Sequence, residues 1–167
     1  MRRTLGIIGG IVLALVLSQF PEYAQQYTQR LGGAVDELRV ITQEFEAAAT
    51  GAGLTREAAL ERYAAVGDPF VEGRGRSMAA TIARYESLSR ALAEIRGATG
   101  WDRFVSLPRY LDSDVGARTL EDFQPAVPVT IEGFAYALAG FAVGYLLVAG
   151  LVRLVVLPFR RPRPLQA

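Results

Sequence analysis

Two long apolar runs stand near the ends of the chain, and the segment between them alternates apolar and polar positions with a helical period. The run Gly133–Val152 has about 20 residues without a charge, enough to cross a bilayer as a helix. Thr130 is placed to cap its N-terminus, and Glu132 would lie in the first turn, where the helix dipole favours a carboxylate. Arg153 stands near the end of the run and can extend its side chain to the membrane surface. This pattern predicts a transmembrane helix in residues 130–157.

The first apolar run, Leu5–Phe20, is shorter than the second. As a helix it would be about 24 Å long, against ~30 Å for the hydrocarbon core of a bilayer. Arg2 and Arg3 can reach the surface at one end, and Phe20 and Tyr23 can lie in the opposite interface. With these side chains at its ends, the short run can still span the membrane.

The first run could instead be a signal peptide that is removed. A cleaved signal peptide ends in a polar region with small residues three positions and one position before the cut. The nearest match, Val16-Leu17-Ser18, lies directly against the apolar run, and Pro21 and Glu22 follow it. The pattern therefore favours a segment that is retained, as a transmembrane anchor in residues 1–20.

The distribution of charge predicts how the chain lies in the membrane. All 17 acidic residues stand between Glu22 and Glu132. Arginines flank the outer side of both apolar runs, at Arg2, Arg3, Arg160, Arg161 and Arg163. Because positively charged flanks are retained in the cytoplasm, we expect both termini there, in a bacterial inner membrane. Residues 21–129 would then form a periplasmic domain and residues 158–167 a cytoplasmic tail.

The central segment has the pattern of two amphipathic helices. In the first, apolar residues recur at alternating spacings of four and three over about three heptads, from Tyr27 to Ala48. Glycines at 51, 53 and 67 predict helix ends, and Thr55 and Asp68 predict helix starts. We expect an antiparallel, coiled-coil-like hairpin. Its seam would contain Leu31, Leu38, Ile41, Phe45, Tyr85, Leu88, Leu92 and Ile95.

Short helices are predicted after this hairpin, around Trp101–Val105 and residues 113–123. Pro125 and Pro128 favour extended backbone before the second apolar run. The predicted fold class is therefore all-α, with two transmembrane helices bracketing a periplasmic helical hairpin and short additional helices.

Small residues form a ridge on each predicted span, at a spacing of three or four residues. Such ridges allow helix backbones to approach closely in lipid, where packing drives association. The ridges are Gly6, Gly10, Ala14 and Ser18 in the first span, and Gly133, Ala137, Gly140 and Gly144 in the second. Two interpretations remain open: the two spans pack on each other, or one ridge docks another membrane subunit or a second copy.

The residue inventory excludes most catalytic chemistry. The chain has no Cys, no His and no Lys, so thiolate nucleophiles, zinc-thiolate sites, histidine bases and Schiff bases are impossible. A net charge of +1 does not indicate nucleic-acid binding. Asp112 and Asp114 lack the further ligands and the glycine of a calcium loop, so helix capping explains them better. We predict no catalytic residue, no metal site and no cofactor.

Two stretches resemble a known family: LSQFPEYAQQYTQRLGGAVDEL, at Leu17–Leu38, and DFQPAVPVTIEG, at Asp122–Gly133. The family consists of uncharacterised proteobacterial inner-membrane proteins and is catalogued as a domain of unknown function. The resemblance extends over nearly the whole chain and implies two spans and a helical periplasmic segment. It implies no reaction and no catalytic residue.

These observations favour a non-catalytic membrane scaffold or accessory subunit of an inner-membrane complex. Its expected partners are membrane lipids and an integral-membrane protein or a second copy of the chain. The alternative is an envelope-maintenance or transport-associated protein that binds lipid or a small ligand between its helices. A copurifying partner would favour the first function, and bound lipid the second.

Overall fold

A computed structural model describes residues 2–127 and 130–156 of the chain. Within these residues the chain forms seven α-helices, one 3-10 helix and no strand, so the all-α prediction is confirmed for the described part. The α-helices are α1 (Arg2–Ser18), α2 (Phe20–Gly51), α3 (Arg56–Ala65), α4 (Pro69–Gly97), α5 (Gly100–Ser106), α6 (Ser113–Glu121) and α7 (Ile131–Val156). The 3-10 helix, Leu107–Arg109, lies between α5 and α6.

The chain divides into two compact units. One unit, the helix-pair unit, contains the described residues up to Ala24 and from Phe123 onward, and the other, the central unit, contains Gln25–Asp122. The boundaries expected from the sequence, after residues 20 and 129, differ from these by four and seven residues, and Ala24 lies inside α2. The assignment of these parts to the membrane and the periplasm stays a prediction.

Two helices are long and apolar enough to cross a membrane. One is α7, and the other is α1 together with its continuation into α2. Within the protein, 11% of the apolar stretch of α7 is buried, and 17% of the apolar stretch of the other helix. Large apolar side chains are exposed along both, such as Leu15 and Leu138, which are 62% and 72% exposed. The core helix of a soluble protein is mostly buried, so the exposure favours contact with lipid.

Local capping determines where the helices of the central unit begin. The Thr55 hydroxyl accepts a hydrogen bond from Ala58 N at 3.2 Å at the start of α3. The Asp68 carboxylate accepts one from Phe70 N at 2.8 Å, and Pro69 occupies the first position of α4. Both predicted helix starts are therefore confirmed. Gly53 and Gly67 have φ values of +70° and +72°, a conformation that favours glycine, and they stand in the turns before and after α3.

The core of the central unit lies along one face of α2 and one face of α4. The buried residues of α2 drift from the predicted heptad positions: Tyr27 and Leu31 are followed by Val35, Thr42 and Ala49 rather than by residues 34, 41 and 48. Val35, Thr42 and Ala49 keep a spacing of seven residues among themselves, so the shift of one position occurs in a single step, between Leu31 and Val35. The buried residues of α4 are Gly75, Ile82, Leu88, Leu92 and Ile95.

Candidate functional site

The closest packing in the helix-pair unit joins α1 and α7 through their glycines. A Cβ atom added to Gly144 would lie 2.5 Å from the carbonyl oxygen of Gly9, and one added to Gly140 would lie 2.6 Å from that of Leu13. A Cβ atom at Gly10 would lie 2.8 Å from the ring of Phe141. No side chain fits at such distances without movement, so the two backbones approach each other only because these positions are glycine.

The order of these contacts shows that α1 and α7 are antiparallel. Gly6 lies beside Ala149, Gly10 beside Phe141, and Leu13 beside Gly140. The N-terminal end of α1 therefore lies beside the C-terminal end of α7. Arg3 in α1 and Arg153 in α7, both exposed, stand near this common end.

The predicted small-residue ridges fall largely at this contact. Gly6, Gly10, Gly140 and Gly144 make the close approaches, and the Cα atom of Ala14 lies beside Gly140. Toward the other end of the pair, Ser18 and Gly133 are buried and Ala137 is half-buried. The structure brings the two ridges together within one chain. This placement corresponds to the first of the two interpretations, in which the spans pack on each other.

Sequence reasoning missed Gly9. It belongs to the contact as much as Gly10 does, because a Cβ atom added to Gly9 would overlap the side chain of Val148 in α7. The four-residue spacing selected Gly6 and Gly10 and passed over the residue between them. The adjacent pair Gly9-Gly10 is the signal that could have identified it, since two successive glycines in an apolar helix leave a wider gap for a neighbour.

Beyond the glycine contact, polar and aromatic side chains join residues 19–23 to residues 123–136. The side-chain amide of Gln19 donates to the Ala126 carbonyl at 3.0 Å and accepts from Ala126 N at 3.1 Å. The rings of Phe20 and Tyr136 lie 5.3 Å apart between centroids, and those of Tyr23 and Phe123 lie 6.1 Å apart. Aromatic rings at the end of an apolar helix pair are typical of a membrane interface.

The arginines expected to set the topology are only partly described. Arg3 is exposed near the start of α1, and Arg2 lies in the same helix. Arg160, Arg161 and Arg163 lie outside the described residues.

The residues predicted for the central seam differ in burial. Leu31, Leu88, Leu92 and Ile95 are buried, whereas Leu38, Ile41, Phe45 and Tyr85 are half-buried. Phe45 faces Tyr63 of α3, with ring centroids 6.4 Å apart. In α2 the buried row from Val35 onward runs through Thr42 and Ala49, and the predicted seam residues Leu38, Ile41 and Phe45 flank it.

A buried tyrosine joins distant parts of the central unit. Tyr27 is 0% exposed, and its hydroxyl donates to the Tyr110 carbonyl at 3.2 Å and accepts from Asp112 N at 2.8 Å. The Asp112 carboxylate accepts from Val115 N at 3.0 Å and caps α6. The capping role expected for Asp112 is thus confirmed. Among the described residues no cluster of three potential metal ligands is present.

Arg56 of α3 links the two long helices of the central unit. Its guanidinium donates to the carboxylate of Glu46 in α2 and, at 2.7 Å, to that of Glu86 in α4. The hydrogen bond to Glu46 is the main cause that raises the pKa of Arg56 above its ordinary value. The cation is therefore fixed between two acidic side chains and remains charged throughout the neutral range.

Comparison with known proteins gives a family and no activity. The family model described as "Protein of unknown function (DUF2937)" matches residues 1–161. No curated protein and no solved structure matches the chain.

Proposed function

Because the chain belongs to this family of unknown function, we propose a function from the geometry: a non-catalytic scaffold or accessory subunit of a bacterial inner-membrane complex. In this proposal α1 and α7 cross the membrane with both termini in the cytoplasm. The central unit, a helical hairpin with short additional helices, lies in the periplasm. Its partners are membrane lipids and an integral-membrane protein or a second copy.

The contact between α1 and α7 is the observation that carries the proposal. Glycines on both helices close the pair, while large apolar side chains such as Leu15 and Leu138 point away from it. A helix pair with a tight interior and an apolar exterior is suited to lipid on all sides. Such a pair anchors the central unit at both of its ends, which is what an accessory subunit requires.

The antiparallel arrangement supports the proposed orientation. It brings Arg3 and Arg153 near the same end of the helix pair. Cationic side chains at one end of both spans favour retention of that end in the cytoplasm. The further arginines of the C-terminal tail would strengthen the same preference.

The glycine contact also limits where a partner can bind. Its residues already face each other within the chain, so a foreign subunit must use another face. On α7 the exposed residues include the small side chains Ala135, Ala139 and Ala142, which lie on one side of the helix. Small exposed residues let a partner helix approach closely. We place the partner contact on this face.

Extraction in a mild detergent followed by affinity capture and mass spectrometry tests the scaffold proposal. We expect an integral-membrane subunit, or a second copy, to copurify at a constant ratio. Ala139→Ile adds bulk on the proposed face and should reduce the copurified amount about tenfold, which corresponds to roughly 1.4 kcal/mol. Leu147→Phe, which adds bulk at an exposed position about 80° around the helix from Ala139, is the control and should leave the copurified amount unchanged. A lone monomer in mild detergent, confirmed by cross-linking in intact membranes, would contradict the proposal.

A further inference from the structure

The central unit contains an apolar cavity, open to solvent along one side, that the proposed scaffold function does not use. Its volume is about 290 Å³, and it lies where the end of α2, the short helix α3 and the start of α4 meet. Alanines and two aromatic rings form much of its wall: Ala48, Ala49, Ala52, Ala59, Phe45 and Tyr63. Arg62 is the charged residue among those that line it.

The sequence builds this cavity by placing four alanines along its wall, at the end of α2 and on α3, beside the branched side chains of Leu54, Val66 and Val71. Interiors normally fill such space with branched side chains, because voids lose dispersion contacts. Here Ala49 and Ala59 are buried without filling the space between α2 and α3. Alanine at these positions leaves room for a chain of methylene groups.

The aromatic wall is held in place from behind. A Cβ atom added to Gly75 of α4 would lie 2.5 Å from Cβ of Tyr63, so Tyr63 rests directly on the backbone of α4. Its ring faces that of Phe45 at 6.4 Å between centroids. Tyr63 therefore cannot move back into α4, and its ring stands on the α3 side of the cavity without a ligand.

Arg62 differs from the other arginine of α3. Arg56 is held by Glu46 and Glu86, whereas within the described part of the chain no carboxylate forms a salt bridge with Arg62. Arg62 is exposed and lines the cavity. An apolar cavity with a cation available to a ligand is complementary to a molecule with a hydrocarbon chain and an anionic head.

We propose that this cavity binds a single-chain amphiphile, with its hydrocarbon chain among the alanines and its carboxylate or phosphate against Arg62. A volume of about 290 Å³ holds roughly ten groups the size of a water molecule at ~30 Å³ each, and a methylene group is of similar size. The occupant is therefore a medium-length acyl chain. This site is separate from the contact between α1 and α7 and does not depend on the scaffold function.

Photolabelling of the full chain in lipid nanodiscs tests the proposal. The probe is dodecanoic acid with a diazirine on its terminal carbon, and the labelled peptides are identified by mass spectrometry. We expect labelling within residues 45–71, in addition to any labelling of the spans by probe dissolved in the bilayer. Labelling confined to the spans would overturn the proposal.

Two neighbouring alanines provide a matched test of the cavity. Ala48 lines it, whereas Ala47 is exposed on α2 and does not line it. Ala48→Phe should remove at least nine-tenths of the labelling within residues 45–71, and Ala47→Phe should leave it unchanged. Equal labelling in the two variants would overturn the proposal.

Substitution of Arg62 tests its contact with the anionic head group and leaves the apolar wall of the cavity unchanged. Arg62→Gln should lower labelling by the carboxylate probe at subsaturating concentration about twofold to fivefold, the size expected of one exposed ion pair. Labelling by the matching dodecanol probe should not change. An equal effect on both probes, or no effect on either, would contradict the assignment of the head group.

Competition distinguishes the two sources of anionic head. Unlabelled dodecanoate and dodecyl phosphate are added separately, and the stronger competitor identifies the preferred head. Displacement by neither would contradict the proposal.

Discussion

Gly144 of α7 lies so close to Gly9 of α1 that a Cβ atom at position 144 would stand 2.5 Å from the Gly9 carbonyl oxygen. The Gly9 carbonyl oxygen belongs to the backbone, so it cannot move away as easily as the end of a flexible side chain. The close approach of the two helices therefore requires a residue without a Cβ atom at position 144.

We expect Gly144→Ala to destabilise the α1–α7 pair by about 1–3 kcal/mol, the range found when a packed interface is overfilled. Gly150→Ala is the control, because nothing lies within 4 Å of a Cβ atom at that position of the same helix. The control should be neutral or slightly stabilising, since alanine favours a helix over glycine. Unfolding of the full chain by SDS, followed by circular dichroism, measures both. Equal effects of the two substitutions would show that the glycine contact contributes nothing specific.

The helix starts of the central unit could be predicted because they depend on neighbouring residues alone. Thr55 and Asp68 cap α3 and α4 through hydrogen bonds to backbone N–H groups two or three residues away. A capping side chain and its partner are adjacent in the sequence, so the pattern contains the whole interaction. The same holds for Asp112 at the start of α6.

The buried face of α2 could be predicted only approximately. The predicted row continues from Leu31 to residues 34, 41 and 48, whereas the buried row steps from Leu31 to Val35 and then keeps a seven-residue spacing at Thr42 and Ala49. Phe45, between Thr42 and Ala49 in the sequence, is half-buried and forms part of the cavity wall. Neither the shift nor the cavity is visible in the spacing of apolar residues.

The bonds of Tyr27 could not be predicted at all. Its partners, Tyr110 and Asp112, stand 83 and 85 residues further along the chain. The spacing of apolar residues is the same whether the hydroxyl of a tyrosine among them contacts solvent or bonds to the backbone of a distant segment. Only the folded structure shows which of these the Tyr27 hydroxyl does.

Tyr27→Phe should lower the free energy of unfolding of the full chain by about 1–2 kcal/mol. The substitution keeps the buried ring and removes the hydroxyl that joins the Tyr110 carbonyl to Asp112 N, so a donor and an acceptor lose their partner. Tyr85→Phe, on a half-buried tyrosine of α4, is the control and should cost much less. Denaturation by urea, monitored by circular dichroism, compares the two. A cost for Tyr27→Phe no greater than that of the control would contradict the structural role of the hydroxyl.

Arg56→Gln should destabilise the central unit by about 0.5–1 kcal/mol. The side chains of Arg56, Glu46 and Glu86 are 33%, 37% and 51% exposed, so solvent weakens both ion pairs. The effect should diminish as the salt concentration rises from 0.05 to about 1 M, where the Debye length falls to ~3 Å. Arg90→Gln is the control, because Arg90 donates to the Glu86 backbone carbonyl and not to a carboxylate. An effect independent of salt would indicate that packing of the Arg56 stem, rather than charge, is responsible.

The pH dependence of this contribution follows from the direction of the pKa shift. The pKa of Arg56 is raised in the folded protein, chiefly by its hydrogen bond to Glu46. A raised pKa stabilises the fold below the pKa of the unfolded chain and loses that effect only as pH rises through the folded value. Both values lie far above neutrality. The difference between wild type and Arg56→Gln should therefore be constant between about pH 6 and 9, and a change across that range would contradict the assignment.

The last prediction concerns the orientation of the chain in the membrane. Fusion of a reporter that is active only in the periplasm should give activity after Gly53, in the central unit, and none after Ala167. The reason is that α1 and α7 are antiparallel, so their arginine-bearing ends lie together, and positively charged ends remain in the cytoplasm. A reporter active only in the cytoplasm, fused at the same two positions, should give the opposite pattern and controls for expression. Periplasmic activity after Ala167 together with cytoplasmic activity after Gly53 would invert the orientation. Activity of the same reporter at both positions would show that α7, which lies between them, does not cross the membrane.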